Sequence, residues 1–353
     1  WGDKRRTKIV RDEGELDDED LVENEMVAVT LTHRGYIKRV PADTYKAQRR
    51  GGKGITGLTT RENDFVKDLI MTNTHDYLMF FTSTGKSYKL KAYEIPEASR
   101  TARGTPANNF LSLSQREKIT AVIPVESFDE DRYLIAVTKN GVIKKTALSN
   151  FNTKRTNGVI AINLQENDEL IDIKESTGKN NVIIVTRKGK CICFSEEDVR
   201  PMGRIAGGVR AIKLEDDDEV VSMSLVESGQ KLFVVTENGY GKRTPVKSYK
   251  TQARGGKGLL TYDKTKFSKT GYLVGAMVVD DDDEILLINS EGTIIRIKAS
   301  DVSTAGRATQ GVKIMKVEEG TKIVSMAKTI REDSLSDDDN PKKAPDGEQM
   351  TLN

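Results

Sequence analysis

The chain is poor in the residues on which most site chemistry depends. Its 353 residues include two cysteines, two histidines and one tryptophan. Cys191 and Cys193 stand two apart, so in a strand they share a face and are not bonded to each other. A metal site needs more ligands than these, and His33 and His75 are the only histidines. The thiols read as small apolar strand residues in a reducing cytosol. Two histidines and no nucleophile motif leave nothing from which to build a catalytic triad. No apolar run reaches the roughly 18 residues that span a bilayer, and the first residues lack the apolar core of a secretory signal. These absences predict a cytoplasmic chain with no membrane partner, no bound metal and no catalytic residue of its own. Trp1 in place of Met suggests a fragment or processed chain, with catalytic residues in an upstream part.

Charge is plentiful: 31% of residues are Asp, Glu, Lys or Arg. The net value of +2 conceals a segregation. Residues 1–25 sum to −5 and residues 331–353 to −4, which leaves +11 for residues 26–330. A basic body between acidic ends predicts a polyanion partner. The division predicts a linker over 1–25, a folded body over 26–330 and an acidic disordered tail over 331–353. The tail has two open readings, a solubility tail and a DNA mimic that folds back on the body.

The body repeats with a period near 50 residues. A turn glycine recurs at Gly35, Gly85, Gly141, Gly189, Gly239 and Gly292, each after a short apolar strand such as Tyr133-Leu134-Ile135-Ala136-Val137. Asn140-Gly141 and Asn238-Gly239 are hairpin signals, read as two-residue turns in which both residues take positive φ. A second glycine follows at Gly54, Gly104, Gly158, Gly208, Gly258 and Gly311, 19 residues after the anchor in five units and 17 in the third. A third apolar stretch closes each unit. Six units of three or four strands predict an all-β fold closed by radial repetition, a six-bladed propeller, in preference to an open solenoid.

Cations repeat with the units. Arg39, Lys89, Lys145, Arg243 and Arg296 stand four residues after the anchor, and only Cys193 departs. The second-glycine loops add Arg100, Arg103, Lys154, Arg155, Arg204, Arg254, Lys257 and Arg307. Rotationally equivalent positions would place these on one rim, a positive ring suited to a phosphate backbone. The acidic runs Glu215–Glu219 and Asp280–Glu284 adjoin strands and read as loops that solvate turns and repel edge pairing rather than as a cation site.

One loop is denser than the rest. Gln48, Arg49, Arg50, Gly51, Gly52, Lys53 and Gly54 pack three cations and three glycines into seven positions, and Gln252 to Gly258 repeats them with Ala253 substituted for arginine. Such a loop can press backbone N–H groups and guanidinium forks against phosphates. Tyr45 stands three residues before it, where it could pack beneath the loop or against a sugar.

Over residues 26–330 these features resemble the C-terminal domain of bacterial DNA gyrase A, whose signature box is similar to Gln48–Gly54 at every position. Gly2–Thr7 resembles the segment leading into that domain. The resemblance implies a β-pinwheel, a propeller variant with strands exchanged between neighbouring blades. It implies that double-stranded DNA wraps around the outer edge with positive handedness. It implies partners in the remainder of gyrase A and in gyrase B, with ATP and Mg²⁺ bound by other domains of a supercoiling holoenzyme and no cofactor in this chain. The box residues carry wrapping by the same resemblance, whereas the copy at 252–258 is a plain DNA-contacting loop. Two alternatives remain open at this point: the related domain of topoisomerase IV, which often lacks an intact box, and a protein-binding propeller. An aromatic content of 6% argues against the latter.

Overall fold

Each repeat begins as a hairpin, and in four of the six one hydroxyl organises its turn. In the third unit, Tyr133–Thr138 runs into Val142–Ala147 with Ile135 opposite Lys145 and Val137 opposite Ile143. The Gly141 N–H donates to the Thr138 carbonyl at 3.0 Å, and the Val142 N–H donates to the Thr138 hydroxyl at 3.2 Å. Gly141 has φ +79, but Asn140 is not among the residues with positive φ. The turn is therefore a three-residue connection closed by one left-handed glycine, not the two-residue turn that Asn-Gly predicts. The same arrangement recurs at Thr32, Thr186 and Thr236, all buried. A buried threonine three residues before the anchor glycine is thus a repeat signal in its own right.

The computed structural model describes residues 18–42, 64, 66–99, 101–128, 131–155, 158–226, 230–291 and 293–329. They build six antiparallel sheets, here called blades 1 to 6. Each hairpin supplies the two middle strands. The third apolar stretch of the unit pairs inside it: Val66–Asn73, Ile119–Val125, Leu170–Ser176, Val220–Val226, Leu273–Val279 and Ile323–Thr329. These six inner strands line a single central cavity of about 990 Å³, so the blades are arranged around one axis.

The outermost strand of each of the first five blades comes from the next unit. Thr105–Pro106 pairs with blade 1, Val159–Ile160 with blade 2, Val209–Arg210 with blade 3, Leu259–Leu260 with blade 4 and Val312–Lys313 with blade 5. Each exchanged strand starts directly after the second glycine, including the third unit with its shorter offset. The approach there is close: a Cβ on Gly208 would lie 2.6 Å from the Ile143 carbonyl oxygen, and φ is +85. Only glycine meets both demands without displacing the strand.

The core is divided into layers between neighbouring blades. In Tyr133–Thr138, Leu134 and Ala136 pack toward blade 2, whereas Ile135 and Val137 pack toward blade 4. Both faces of the middle strands are buried, which explains why they read as unbroken apolar runs rather than alternating ones. Cys191 and Cys193 are buried free thiols in the layer between blades 4 and 5, and burial pushes both thiols up.

Candidate nucleic-acid interface

Among the described residues, the loop that carries the second glycine crosses the outer edge of the molecule on its way to the neighbouring blade. Four residues before that glycine every unit has a cation: Arg50, Arg100, Lys154, Arg204, Arg254 and Arg307. Arg50 and Arg100 lie outside the described residues, as do the rest of the box from Gln48 to Gly54 and Tyr45. The others are exposed or half-buried. Three of them reach along the circumference: the Arg204 guanidinium donates to the Ile160 carbonyl at 3.2 Å, Arg254 to that of Arg210, and Arg307 to that of Leu260 at 3.4 Å. Each acceptor belongs to the exchanged strand of the blade before. The backbone follows the same route, with the N–H groups of Asn163, Lys213 and Asp263 donating to Ala206, Gly256 and Thr309. Loop, outer strand and guanidinium thus form a bonded belt from blade 2 to blade 5.

Other cations join this belt. Arg155 is exposed beside Lys154, and Lys257 is exposed beside Gly258. Arg103 lies over the Tyr36 ring, its guanidinium carbon 3.6 Å from the ring centroid, which holds it at the blade 1 edge. Arg210 and Lys313 are additions that sequence reasoning missed. They are the exposed second residues of two exchanged strands, legible in hindsight as cations two positions after Gly208 and Gly311.

The cations four residues after the anchor have a different place. Lys89, Lys145 and Arg243 are buried, and the Arg39 side chain is 12% exposed. The cause is strand exchange: the segment arriving from the next unit passes over these positions and bridges to residues 39, 145 and 243. Their charges are committed inside. Lys89 donates to the Thr153 carbonyl at 2.7 Å. Lys145 lies 3.8 Å from the Glu196 carboxylate, which is itself fully buried. Arg243 donates to the carbonyls of Val302 and Ser300 and pairs with Asp281. Arg296 alone of this register is exposed, beside Glu284 at 3.4 Å; its sheet has three strands among the described residues. The sequence reading that set all five on one rim is corrected for Arg39, Lys89, Lys145 and Arg243.

The acidic runs serve neighbouring turns and ion pairs. The Asp218 carboxylate accepts from the Lys188 N–H and the Thr186 hydroxyl, and Asp281 pairs with Lys231 and Arg243. Among the described residues no group of three or more His, Cys, Asp or Glu side chains could hold a metal ion, and no helix is long and apolar enough to cross a membrane.

The six units also match a known family. The family described as "DNA gyrase C-terminal domain, beta-propeller" matches six times, at residues 28–73, 76–126, 132–175, 180–227, 230–280 and 283–329. The chain belongs to this family. Those bounds follow the blades, each match running from the first strand of a hairpin to the inner strand. The DNA gyrase A subunit of Clostridium acetobutylicum is 48% identical over 351 residues, which covers 99% of this chain and 42% of that protein. The Mycobacterium tuberculosis gyrase A is 41% identical, covering 99% and 41%. The chain therefore spans about two-fifths of the length of these relatives. Among solved structures, a DNA topoisomerase IV C-terminal domain superimposes with a TM-score of 0.78 at 28% identity, covering 87% of this chain and 94% of that one. A DNA gyrase A C-terminal domain gives 0.68 at 31% identity, covering 87% and 100%. As a gyrase C-terminal domain, the chain has the β-propeller fold that its repeats predict.

Proposed function

We propose that this chain binds, bends and wraps double-stranded DNA around its outer edge without reading base sequence, and presents the wrapped segment to a gyrase core. The observation that carries the reading is the cation four residues before every second glycine, together with the belt of bonds joining Arg204, Arg254 and Arg307 to the preceding blades. Cations held on a curved edge neutralise phosphates and release counterions. Bending a 20–30 base-pair site by 40–90° costs about 1–6 kcal/mol, which distributed contacts from successive blades can offset. In this reading the box Gln48–Gly54 directs the wrap, and the partners are the remainder of gyrase A and gyrase B. ATP and Mg²⁺ belong to those other domains, and the holoenzyme introduces negative supercoils in the bacterial cytoplasm, on the nucleoid.

The topoisomerase IV reading has one observation in its favour, the higher TM-score of that domain. The sequence supports gyrase: the Clostridium acetobutylicum and Mycobacterium tuberculosis relatives that match across 99% of the chain are gyrase A proteins, and Gln48–Gly54 resembles the box at every position. The test closes relaxed circular plasmid with ligase, with and without the chain. A positive shift in linking number that vanishes when Gln48–Gly54 are replaced by alanines is expected; an unchanged linking number with the parent chain would refute wrapping.

A further inference from the structure

Beneath the rim, one position alternates around the ring. Three residues after the anchor glycine, blades 1, 3 and 5 carry Lys38, Lys144 and Lys242; blades 2, 4 and 6 carry Tyr88, Ile192 and Ile295. All three lysines are buried, at 1%, 1% and 0% exposure. Each ammonium group is turned outward, under the loop arriving from the next unit. Lys38 donates to the carbonyls of Ser99 and Ala102, both at 3.0 Å. Lys144 donates to Ala161 at 2.7 Å and to Arg204. Lys242 donates to Gly306 at 2.7 Å, to Arg307 and to the Thr309 hydroxyl at 3.1 Å. In blade 4 the same position is filled by Ile192, which packs below Gly256 with no polar tie.

Burying an ammonium group is costly unless hydrogen bonds satisfy it, so these three are held where loop carbonyls converge on them. A loop whose carbonyls turn inward around a cation is fixed in one arrangement. Two of the tied carbonyls belong to Arg204 and Arg307, rim cations themselves. The loop of the fifth unit, with Arg254 and Lys257, has no such pin.

We propose that Lys38, Lys144 and Lys242 are positioning residues that lock the rim loops over blades 1, 3 and 5, and that these locked loops set the curvature of the wrap. This rests on the DNA-wrapping reading for its consequence, though not for the locking itself. At Lys242 the facing groups are Asp263, which favours the charged form, Arg307, which opposes it, and the Tyr262 ring at 5.7 Å. Burial outweighs Asp263 and brings this ammonium down to about 7; burial and Arg204 bring Lys144 down to about 8. Phosphates arriving at Arg204 and Arg307 favour the charged pins.

The test compares the whole chain with K144M and K242M, singly and together, since methionine keeps most of the stem and removes the ammonium group. Three readouts are taken: plasmid linking number after ligation, affinity for a linear duplex at low salt, and amide hydrogen exchange. The double variant is expected to lose at least half of the linking-number shift while duplex affinity changes less than threefold. Exchange in loops 203–208 and 305–311 rises at least tenfold, with 253–257 unchanged. The parent's linking-number shift falls at least twofold from pH 6.5 to 8.5, and that of the double variant stays flat. Parent-like linking number and parent-like loop exchange in the double variant would overturn the proposal. If the parent chain gives no linking-number shift, the wrapping reading fails, and the exchange of the two loops still decides whether the lysines lock them. Should the double variant not fold, each single variant carries the test on its own loop.

Discussion

Two sets of cations repeat with the same period in this chain and have opposite fates. Those four residues after the hairpin glycine lie in the second strand, where, Arg296 excepted, the exchanged segment covers them and their charges meet Glu196, Asp281 or backbone carbonyls. Those four residues before the second glycine lie, among the described residues, in that exchanging segment itself, with Arg204, Arg254 and Arg307 at the outer edge. Position relative to the crossover, not charge or periodicity, decides which set is free to meet a polyanion. A register of basic residues therefore locates a repeat, and the connection between repeats determines what the register is for.

The sharpest way to break this comparison is to remove one set and then the other. Replacing Arg204, Arg254 and Arg307 together with alanine removes three of the proposed phosphate contacts. Affinity for duplex DNA at low salt is expected to fall about a thousandfold, some 4 kcal/mol, and the slope of log K against log salt to flatten by about 2.7. The change should be the same for unrelated sequences, because phosphate contacts carry no base information. An unchanged salt slope, measured by titration at several salt concentrations, would remove these arginines from the interface.

The reverse prediction concerns the buried set. Arg243→Met leaves the carbonyls of Val302 and Ser300 and the Asp281 carboxylate without their donor. The expected loss of stability is about 3 kcal/mol in denaturant unfolding. The salt slope of whatever remains folded should match that of the parent chain. A stable variant with a flattened slope would return Arg243 to the rim.

Acid probes the interior without touching either set of cations. Glu117 is buried in blade 2. Burial alone pushes its carboxyl up, but hydrogen bonds from the Ser114 N–H and the Thr84 and Tyr88 hydroxyls, with Lys86 nearby, overcome this and hold it at about 2. A carboxyl lowered from its ordinary 4.5 contributes fully above that pH, and the contribution disappears as pH falls toward 2. The parent should therefore lose about 2–3 kcal/mol across this window that Glu117→Gln has already lost. Thermal unfolding at a series of pH values reads the difference, and parallel curves for the two proteins would show that the carboxylate is not held low.

Much of this architecture is legible in the residues. The anchor glycines, the apolar strands and the closing stretches predict six blades, and five anchors take the left-handed conformation expected of turn glycines. What spacing does not reveal is which unit a strand joins. Thr105–Pro106 pairs with the hairpin before its own, and nothing in two residues announces a partner some 68 positions back. Family resemblance alone points to the exchange, and without it Lys145 and Arg243 look like ordinary strand-end charges. The turn threonines do recur three residues before the anchor glycines, but the spacing does not say that the hydroxyl accepts the N–H that closes the turn. The pinning lysines are hidden for a related reason: a lysine inside a strand reads as a solvated side chain until the carbonyls above it are known.

The smallest effect makes the finest distinction. Lys257 and Lys89 are both lysines of the repeat, one exposed beside the second glycine and the other buried under the Thr153 carbonyl with the Tyr77 ring at 4.5 Å. Lys257→Ala should weaken duplex binding by about threefold to tenfold, lower the salt slope by about 1 and leave the melting temperature unchanged. Lys89→Met should do the opposite, lowering the melting temperature while the slope stays as it is. Each variant serves as the other's control, because they remove the same charge from the same chain and differ only in which side of the exchanged segment that charge occupies. If both variants flatten the slope alike, the buried charge is felt by the DNA through the blade, and the distinction between rim and interior fails as an account of binding.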